Sequence, residues 1–207
     1  MSIKIRNANV DDAPFIAKMI LQSSRAGKKN GMFDLVFEVH GDAMILDKLQ
    51  TLTTTTAKSY CHYSNFLIAE SDGKNVGTLC TYEPRISTKE EFIKALEEVG
   101  CSEQVNDRLE TFYACDFNLN KRTLMFDFME EEEDFTDVGV LKALMQKSLL
   151  TARLKGYRIA QTIIEIGSLE SELFYKKLGF HIVKQQECEE YQEKFGRLGL
   201  MLLAIEF

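Results

Sequence analysis

The stretch 129–156 constrains the fold of this chain more than any other part of the sequence. It has the pattern of a strand end, an acidic bend, a single glycine at Gly139 and a long helix that ends at Gly156. The apolar residues of the helix recur at the spacing that holds one face against a core, at Leu141, Leu144, Met145, Leu149 and Ala152. Because N–H groups at a helix start are free and a glycine lets a ligand approach, the stretch predicts either an anion site or an ordinary capped helix.

The chain has 207 residues and a net charge of −7. This length accommodates one domain with a buried core, and no linker or internal repeat interrupts it, so we expect residues 1–207 to form a single domain. The negative charge argues against a nucleic-acid partner, whose phosphates need clustered Lys and Arg. It favours a cationic substrate instead, such as an amine or a lysine tail.

The sequence shows no clear pattern of a membrane span, a signal peptide or a metal site. No apolar run approaches the roughly 18 residues of a membrane span, and the first residues do not resemble a signal peptide, so we expect no membrane partner and a cytoplasmic location. The five cysteines lack a C-x-x-C pair, which favours reduced thiols over a disulfide framework or a zinc site. The three histidines show no ligand spacing, and we expect no metal.

Periodicity and turn residues predict an alternation of strands and helices along the chain. A turn containing Asp72 and Gly73 joins two strands in the clearest local signal, a hairpin. The predicted strands lie at 3–6, 65–71, 75–82, 124–129, 159–166, 180–184 and 198–207. The predicted helices begin near 11 and cover 32–57, 88–99, 102–114, the long helix to 155, and 168–178.

This order of elements resembles that of the GCN5-related N-acetyltransferase (GNAT) superfamily. The most specific piece is the segment 172–180, ELFYKKLGF, which looks like the L-Y-x-K-x-G-F segment that follows the fifth strand in the family. The second family signature, R/Q-x-x-G-x-G/A at the start of the long helix, corresponds to 136–141. Here Gly139 agrees, whereas Thr136 and Leu141 depart from the pattern.

The resemblance implies an α/β fold with a mixed, mostly antiparallel sheet of about seven strands flanked by helices. The sheet would split where its fourth and fifth strands diverge. A helical insertion at 85–121, between the third and fourth strands, would lie over the acceptor side of the sheet. Its amphipathic pattern is carried by Phe92, Leu96 and Leu109, among others.

The activity that the resemblance implies is transfer of an acetyl group from acetyl-CoA to an amine of a small molecule or a protein, by direct attack. Tyr175 aligns with the tyrosine that protonates the departing thiolate. The general base would be Glu130 or Glu131 at the end of the fourth strand, with Asp127 as a third candidate. The residues expected at the coenzyme are Met129, Glu131, Asp137, Val138, Gly139, Val140, Leu141, Lys142 and Ser168, the last of which stands at the position of the family's asparagine.

A second hypothesis remains open beside the enzyme. The departures at Thr136 and Leu141, and the acidic run 130–134 next to them, are typical of a degenerate member that keeps the fold and serves as a non-catalytic binding or regulatory module. The sequence also leaves open the acceptor, the acyl chain length and the oligomeric state, with a homodimer as one alternative.

Overall fold

The computed structural model describes residues 2–101, 104–119, 123–136 and 139–207. The strands are β1 (Ile3–Asn7), β2 (Phe66–Ser71), β3 (Lys74–Tyr82), β4 (Leu124–Glu131), β5 (Ile159–Glu165), β6 (His181–Glu187) and β7 (Gly199–Glu206). The α-helices are α1 (Ala13–Arg25), α2 (Met32–Phe37), α3 (Asp42–Thr53), α4 (Lys89–Glu98), α5 (Val105–Tyr113), α6 (Val140–Leu154), α7 (Leu169–Lys177) and α8 (Glu189–Phe195). Short 3₁₀ helices lie at Val10–Asp12, Tyr63–Asn65 and Glu133–Phe135.

The strands form one sheet in the order β1-β2-β3-β4-β5-β7-β6. All neighbours run antiparallel except β4 and β5, which run parallel. These two strands pair only at Leu124 with Ala160 and at Met125 with Gln161, so they separate beyond that point. The prediction of a mostly antiparallel sheet that splits between its fourth and fifth strands is confirmed.

A β-bulge bends β4 in the middle of the sheet. The register between β3 and β4 shifts between Thr78 and Cys80, and Phe128 has a φ of +43°, in the left-handed region that costs a bulky residue energy. The Asp127 carboxylate accepts a hydrogen bond from the Phe128 N–H at 2.8 Å, and the Thr78 hydroxyl donates to the Phe128 carbonyl at 3.0 Å. The bulge therefore interrupts the simple alternation that would place Asp127 and Met129 on one face.

Two apolar clusters cover the two faces of the sheet. The first joins α1, α2 and α3 to the insertion helices α4 and α5, and Phe128 belongs to it. The second joins α6 and α7 to the other face, and Met129 belongs to it. The first cluster contains buried residues of the insertion, namely Phe92, Ala95, Leu96, Val105 and Leu109. The helical insertion between the third and fourth strands is thereby confirmed as part of the fold.

The structure corrects two expectations near the end of the chain. Helix α8 lies between β6 and β7 where the sequence analysis expected no helix, although the acidic residues Glu189 and Glu190 in its first turn and Gly196 after its end were usable signals. Cys115 and Cys188 form a disulfide with a Cα–Cα distance of 5.8 Å, so the expectation of reduced thiols throughout was wrong. The two cysteines are 73 residues apart, and contacts of the end of α5 with α8 and β6 bring them together.

No helix in the described ranges is long and apolar enough to cross a membrane.

Candidate active site

A cleft of about 1250 Å³ opens where β4 and β5 separate. The ends of both strands, the start of α6, helix α7, the loop after α1 and the insertion helices line it. Of the residues singled out from the sequence, the cleft lining includes Met129, Glu130, Glu131, Leu141, Ser168 and Tyr175. The divergence of the two strands thus brings together residues that lie more than 30 positions apart.

The edge of β4 that faces the cleft carries backbone groups that β3 does not use. The N–H of Glu132 donates to the Val76 carbonyl of β3 at 2.9 Å. Because β4 pairs with β5 at Leu124 and Met125, the later part of the strand, including Met129 and Glu131, borders the gap between β4 and β5. The Glu131 carbonyl also accepts a hydrogen bond from the Gln22 side chain of α1. An extended amide-containing ligand in the gap would lie alongside this part of β4.

The backbone at the start of α6 is accessible to a ligand at Gly139. Gly139 has a φ of +86°, and a Cβ built there would meet no atom within 4 Å. Behind it, buried Val140 packs closely against β3, because a Cβ at Gly77 would lie only 2.6 Å from the Val140 side chain. Leu141 is half-buried against the apolar cluster of α6, and Lys142 is exposed. Asp137 and Val138, two of the expected coenzyme-binding residues, lie outside the described residues.

Part of the acidic run 130–134 faces α1. Glu132 forms a salt bridge with Lys18 at 2.6 Å, and Glu130 accepts a hydrogen bond from Gln22 at 2.9 Å. Glu133 and Asp134 are exposed in the 3₁₀ turn before α6, and Glu133 reaches the cleft. The ion pair of Glu132 with Lys18 reduces the negative charge that a ligand at the start of α6 would meet, and the hydrogen bond from Gln22 directs the Glu130 carboxylate towards α1.

Tyr175 of α7 is buried at the cleft wall. Burial raises the pKa of its hydroxyl, a hydrogen bond with Thr162 of β5 lowers it, and the carboxylates of Asp127 and Glu130 raise it further. The hydroxyl therefore keeps its proton at neutral pH. Ser168, at the start of α7, shares a hydrogen bond of 3.0 Å with the Ser171 hydroxyl.

Two carboxylates on β4 share the face that carries α1. Burial raises the pKa of Asp127 to about 6, although the hydrogen bond from the Phe128 N–H lowers it. Burial also raises the pKa of Glu130, against hydrogen bonds from Gln22 and Ser23. Glu131 lines the cleft as well but follows Glu130 on the strand and faces the opposite side. Asp127, the one acid in the apolar run LMFDFM, thus has a carboxyl pKa near the working pH of a general base.

An aromatic wall faces Asp127 on the acceptor side, and the sequence analysis did not identify it. The Tyr60 ring lies 5.4 Å from that of Tyr82 and 4.7 Å from that of Phe92. All three residues line the cleft. Tyr60 lies in a loop, so neither helical nor strand periodicity would have drawn attention to it.

Comparison by sequence finds no relative. No protein-family model matches this sequence, and no curated protein matches it.

Comparison by structure does find relatives. An N-acetyltransferase from Staphylococcus aureus Mu50 superposes with a TM-score of 0.71 at 17% identity, over 98% of this chain and 100% of that one. A GCN5-related N-acetyltransferase from Kribbella flavida gives a TM-score of 0.59 at 15% identity, over 99% and 98% of the two chains. The PaiA N-acetyltransferase from Thermoplasma acidophilum, in complex with coenzyme A, gives 0.56 at 12% identity over the full length of both. The protein therefore has the GNAT fold, as the resemblance implied.

Proposed function

We propose that this protein is an N-acetyltransferase of the GNAT superfamily, which moves an acetyl group from acetyl-CoA to a primary amine by direct attack. The observation that carries the proposal is the arrangement of the cleft. A buried protonated tyrosine and a carboxyl whose pKa is about 6 line one cleft at the gap between β4 and β5. The fold neighbours named as acetyltransferases support the same class of reaction.

The residues around the cleft fit acetyl-CoA. The extended acyl-pantetheine arm would lie in the gap between β4 and β5, alongside Met129 and Glu131. The diphosphate would lie at the start of α6. Gly139 has no side chain there, and the first N–H groups of the helix, from Val140 to Lys142, have no acceptor within the helix. Acetyl-CoA supplies an electrophilic thioester carbonyl and a thiolate leaving group.

The protein supplies the proton movements. The Asp127 carboxylate would accept a proton from the incoming amine, because its raised pKa lies near neutrality and still leaves it mostly ionised at pH 7. The Tyr175 hydroxyl, which keeps its proton, would give it to the departing sulfur. A backbone N–H of the stretch after the bulge, from Met129 to Glu131, would donate to the carbonyl oxygen as negative charge develops on it.

Calorimetric titration with acetyl-CoA, followed by mass-spectrometric detection of acetylated amine, tests the proposal. We expect saturable binding, and acetyl transfer that Asp127→Asn lowers by about 10²-fold or more without abolishing coenzyme binding. Independently, acetyl-CoA at 100 times its dissociation constant should stabilise the fold by about 2.7 kcal/mol. The absence of coenzyme binding would contradict the enzyme hypothesis.

One observation favours the second candidate, a binding or regulatory module. Thr136 lacks the guanidinium that could bind a phosphate in a bidentate manner, and Leu141 occupies a position that is small in the family motif. On this hypothesis coenzyme would bind weakly or not at all, and no amine would be acetylated. The same titration and assay separate the two candidates.

A further inference from the structure

The cleft is strongly acidic for a site that would also hold a diphosphate. Eight carboxylates and a single cationic side chain, that of Lys89, line it among the described residues. Glu165 is partly neutralised by an ion pair with Lys28 from the loop after α1, just outside the lining. The remaining acids on the acceptor side include Glu90, Asp116 and Asp127. Such a lining attracts cations and excludes anionic acceptors.

Acidic side chains and tyrosine rings line the acceptor side of the cleft, from the bulge at Asp127 to the insertion helices α4 and α5. Burial raises the pKa of Tyr82, and the carboxylates of Asp127 and Asp116 both raise it further. Burial likewise raises the pKa of Tyr113 to about 12, and Asp116 and Glu90 add to the effect. Tyr82, Tyr113, Glu90, Asp116 and Asp127 all line the cleft. This side of the cleft has a carboxylate at each end, Asp127 and Asp116, and apolar ring surface between them.

The ammonium group of Lys89 already lies at the Asp116 end of this side of the cleft. The Lys89 Nζ lies 2.9 Å from an Asp116 oxygen and 4.0 Å from the centre of the Tyr113 ring. A carboxylate together with a ring face at these distances is a binding arrangement for an ammonium. The Lys89 side chain is 49% exposed, so the ion pair contributes little stability and the lysine can move into solvent at low cost.

A buried hydroxyl without a partner lies at the same place. The Tyr113 oxygen is inaccessible to solvent and makes no hydrogen bond within the part of the chain that the structure describes. A buried hydroxyl in that condition costs free energy unless a ligand satisfies it. The Lys89 ammonium lies over the ring face and does not bond to this oxygen, so an ammonium at this place would contact the Asp116 carboxylate and the face of the Tyr113 ring.

We propose that the acceptor is a small diamine or polyamine. Its reacting nitrogen lies at Asp127, its methylene chain lies along Tyr60 and Tyr82, and its second ammonium takes the place of Lys89 beside Asp116. The inference rests on the proposed acetyltransferase function. The reacting ammonium loses two protons: one passes through Asp127 to water, and the other restores the Tyr175 hydroxyl after Tyr175 has protonated the thiolate. The amide C–N bond forms as the C–S bond breaks, and the second ammonium is unchanged.

The first experiment compares three acceptors with the wild-type protein: 1,5-diaminopentane, 5-aminopentan-1-ol and 2-phenylethylamine. The alcohol has the same length as the diamine but lacks the second charge, and the third replaces that charge by a ring. We expect kcat/KM to be at least tenfold higher for the diamine than for either monoamine. Equal values, or a preference for the phenyl compound, would overturn the inference while leaving acetyl transfer established.

The second experiment uses variants at the second ammonium site. Asp116→Asn keeps the side-chain oxygen that accepts the Phe117 N–H and removes the charge, so it should lower the diamine-to-alcohol selectivity ratio about tenfold. Asp107→Asn removes one charge from an exposed position on α5 outside the cleft and should leave the ratio unchanged. Lys89→Gln should raise the affinity for the diamine, because the resident ammonium no longer competes. An unchanged ratio in Asp116→Asn would contradict the inference.

The outcome does not depend on turnover alone. Calorimetric titration of 1,5-diaminopentane into the complex with coenzyme A measures acceptor binding directly, and Lys89→Gln should tighten it. If no amine is acetylated, the proposed function fails, and diamine binding weakened by Asp116→Asn would still support the second ammonium site. Absence of diamine binding in wild type and in Lys89→Gln would overturn it.

Discussion

At the scale of single residues, Asp127 is the position where the fold changes the chemistry most. An aspartate at an ordinary strand end would be ionised above pH 4 and would be a poor base. Placed at the bulge beside Tyr60 and Tyr82, it has a pKa of about 6 because burial disfavours its charge. A general base near neutrality combines a useful ionised fraction with real basicity.

The pH dependence of activity should follow Asp127. The carboxyl must be ionised to accept a proton, so kcat/KM should fall as the pH drops through about 6. Asp127→Asn should lower kcat/KM by about 10²-fold or more and remove this acidic limb. If Glu130→Gln removes the limb and Asp127→Asn does not, the base is Glu130, whose pKa burial also raises.

The same carboxyl should lower the stability of the fold at neutral pH. Its folded-state pKa lies above the ordinary 3.8, so the free energy of unfolding falls as the pH rises from about 4 through about 6. One pKa unit corresponds to about 1.4 kcal/mol, and Asp127→Asn should therefore stabilise the protein by up to about 3 kcal/mol at pH 7.5. Urea unfolding at pH 7.5 and pH 4 measures the effect, which should vanish at the lower pH. A destabilised variant at pH 7.5 would contradict the assignment of Asp127 as a desolvated acid.

Tyr175 should act on turnover and not on coenzyme affinity. Tyr175→Phe should lower kcat by about 10²-fold and leave the dissociation constant of acetyl-CoA nearly unchanged, because the hydroxyl acts only as the thiolate leaves. Tyr157→Phe is a matched control, since that hydroxyl bonds to Glu83 and lies outside the cleft lining. Unaltered turnover in Tyr175→Phe would assign this tyrosine to the core.

At the scale of elements, the start of α6 decides how strongly the coenzyme can bind. Thr136 and Leu141 depart from the family pattern R/Q-x-x-G-x-G/A, and the changes Thr136→Arg and Leu141→Gly together would restore it. In the structure Leu141 packs against the apolar cluster of α6. A glycine there would lose that packing as well as roughly 1 kcal/mol of helix propensity. The exposed Thr136 is the better single position to change.

Thr136→Arg should strengthen acetyl-CoA binding about tenfold, because a bidentate charge-assisted hydrogen bond to a phosphate contributes about 1.5–3 kcal/mol. Gln146→Arg adds the same charge at an exposed position further along α6 and should have a much smaller effect. Calorimetry on the three proteins measures both. Equal affinities in the three proteins would mean that the diphosphate does not lie at this helix start.

At the scale of the whole molecule, a covalent link joins the insertion to the last third of the chain. The disulfide between Cys115 and Cys188 ties the end of α5 to the start of α8. Phe112 of α5 packs against Tyr191 and Phe195 of α8 at the same place. The end of the insertion and helix α8 are therefore held together by both the disulfide and an aromatic cluster.

Loss of this bond should lower the stability of the whole fold. A bridge across 73 residues removes enough chain entropy from the unfolded state to contribute about 4 kcal/mol. The double change Cys115→Ser and Cys188→Ser should lower the free energy of unfolding by about 2–4 kcal/mol in urea unfolding. Cys101→Ser, at a free and half-buried cysteine, is the control. Equal stability of the double variant and wild type would mean that the bond does not form in solution.

The sequence by itself determined the order and type of most elements, the glycine at the start of α6 and the position of Tyr175. These features are local, because periodicity, turn residues and caps act over a few neighbouring positions. Only the tertiary structure decided which acid is desolvated, which cysteines meet and that Tyr60, Tyr82 and Tyr113 line one cleft. Burial and pairing depend on segments tens of residues apart, and the strand period cannot anticipate the bulge that places Asp127 among those rings.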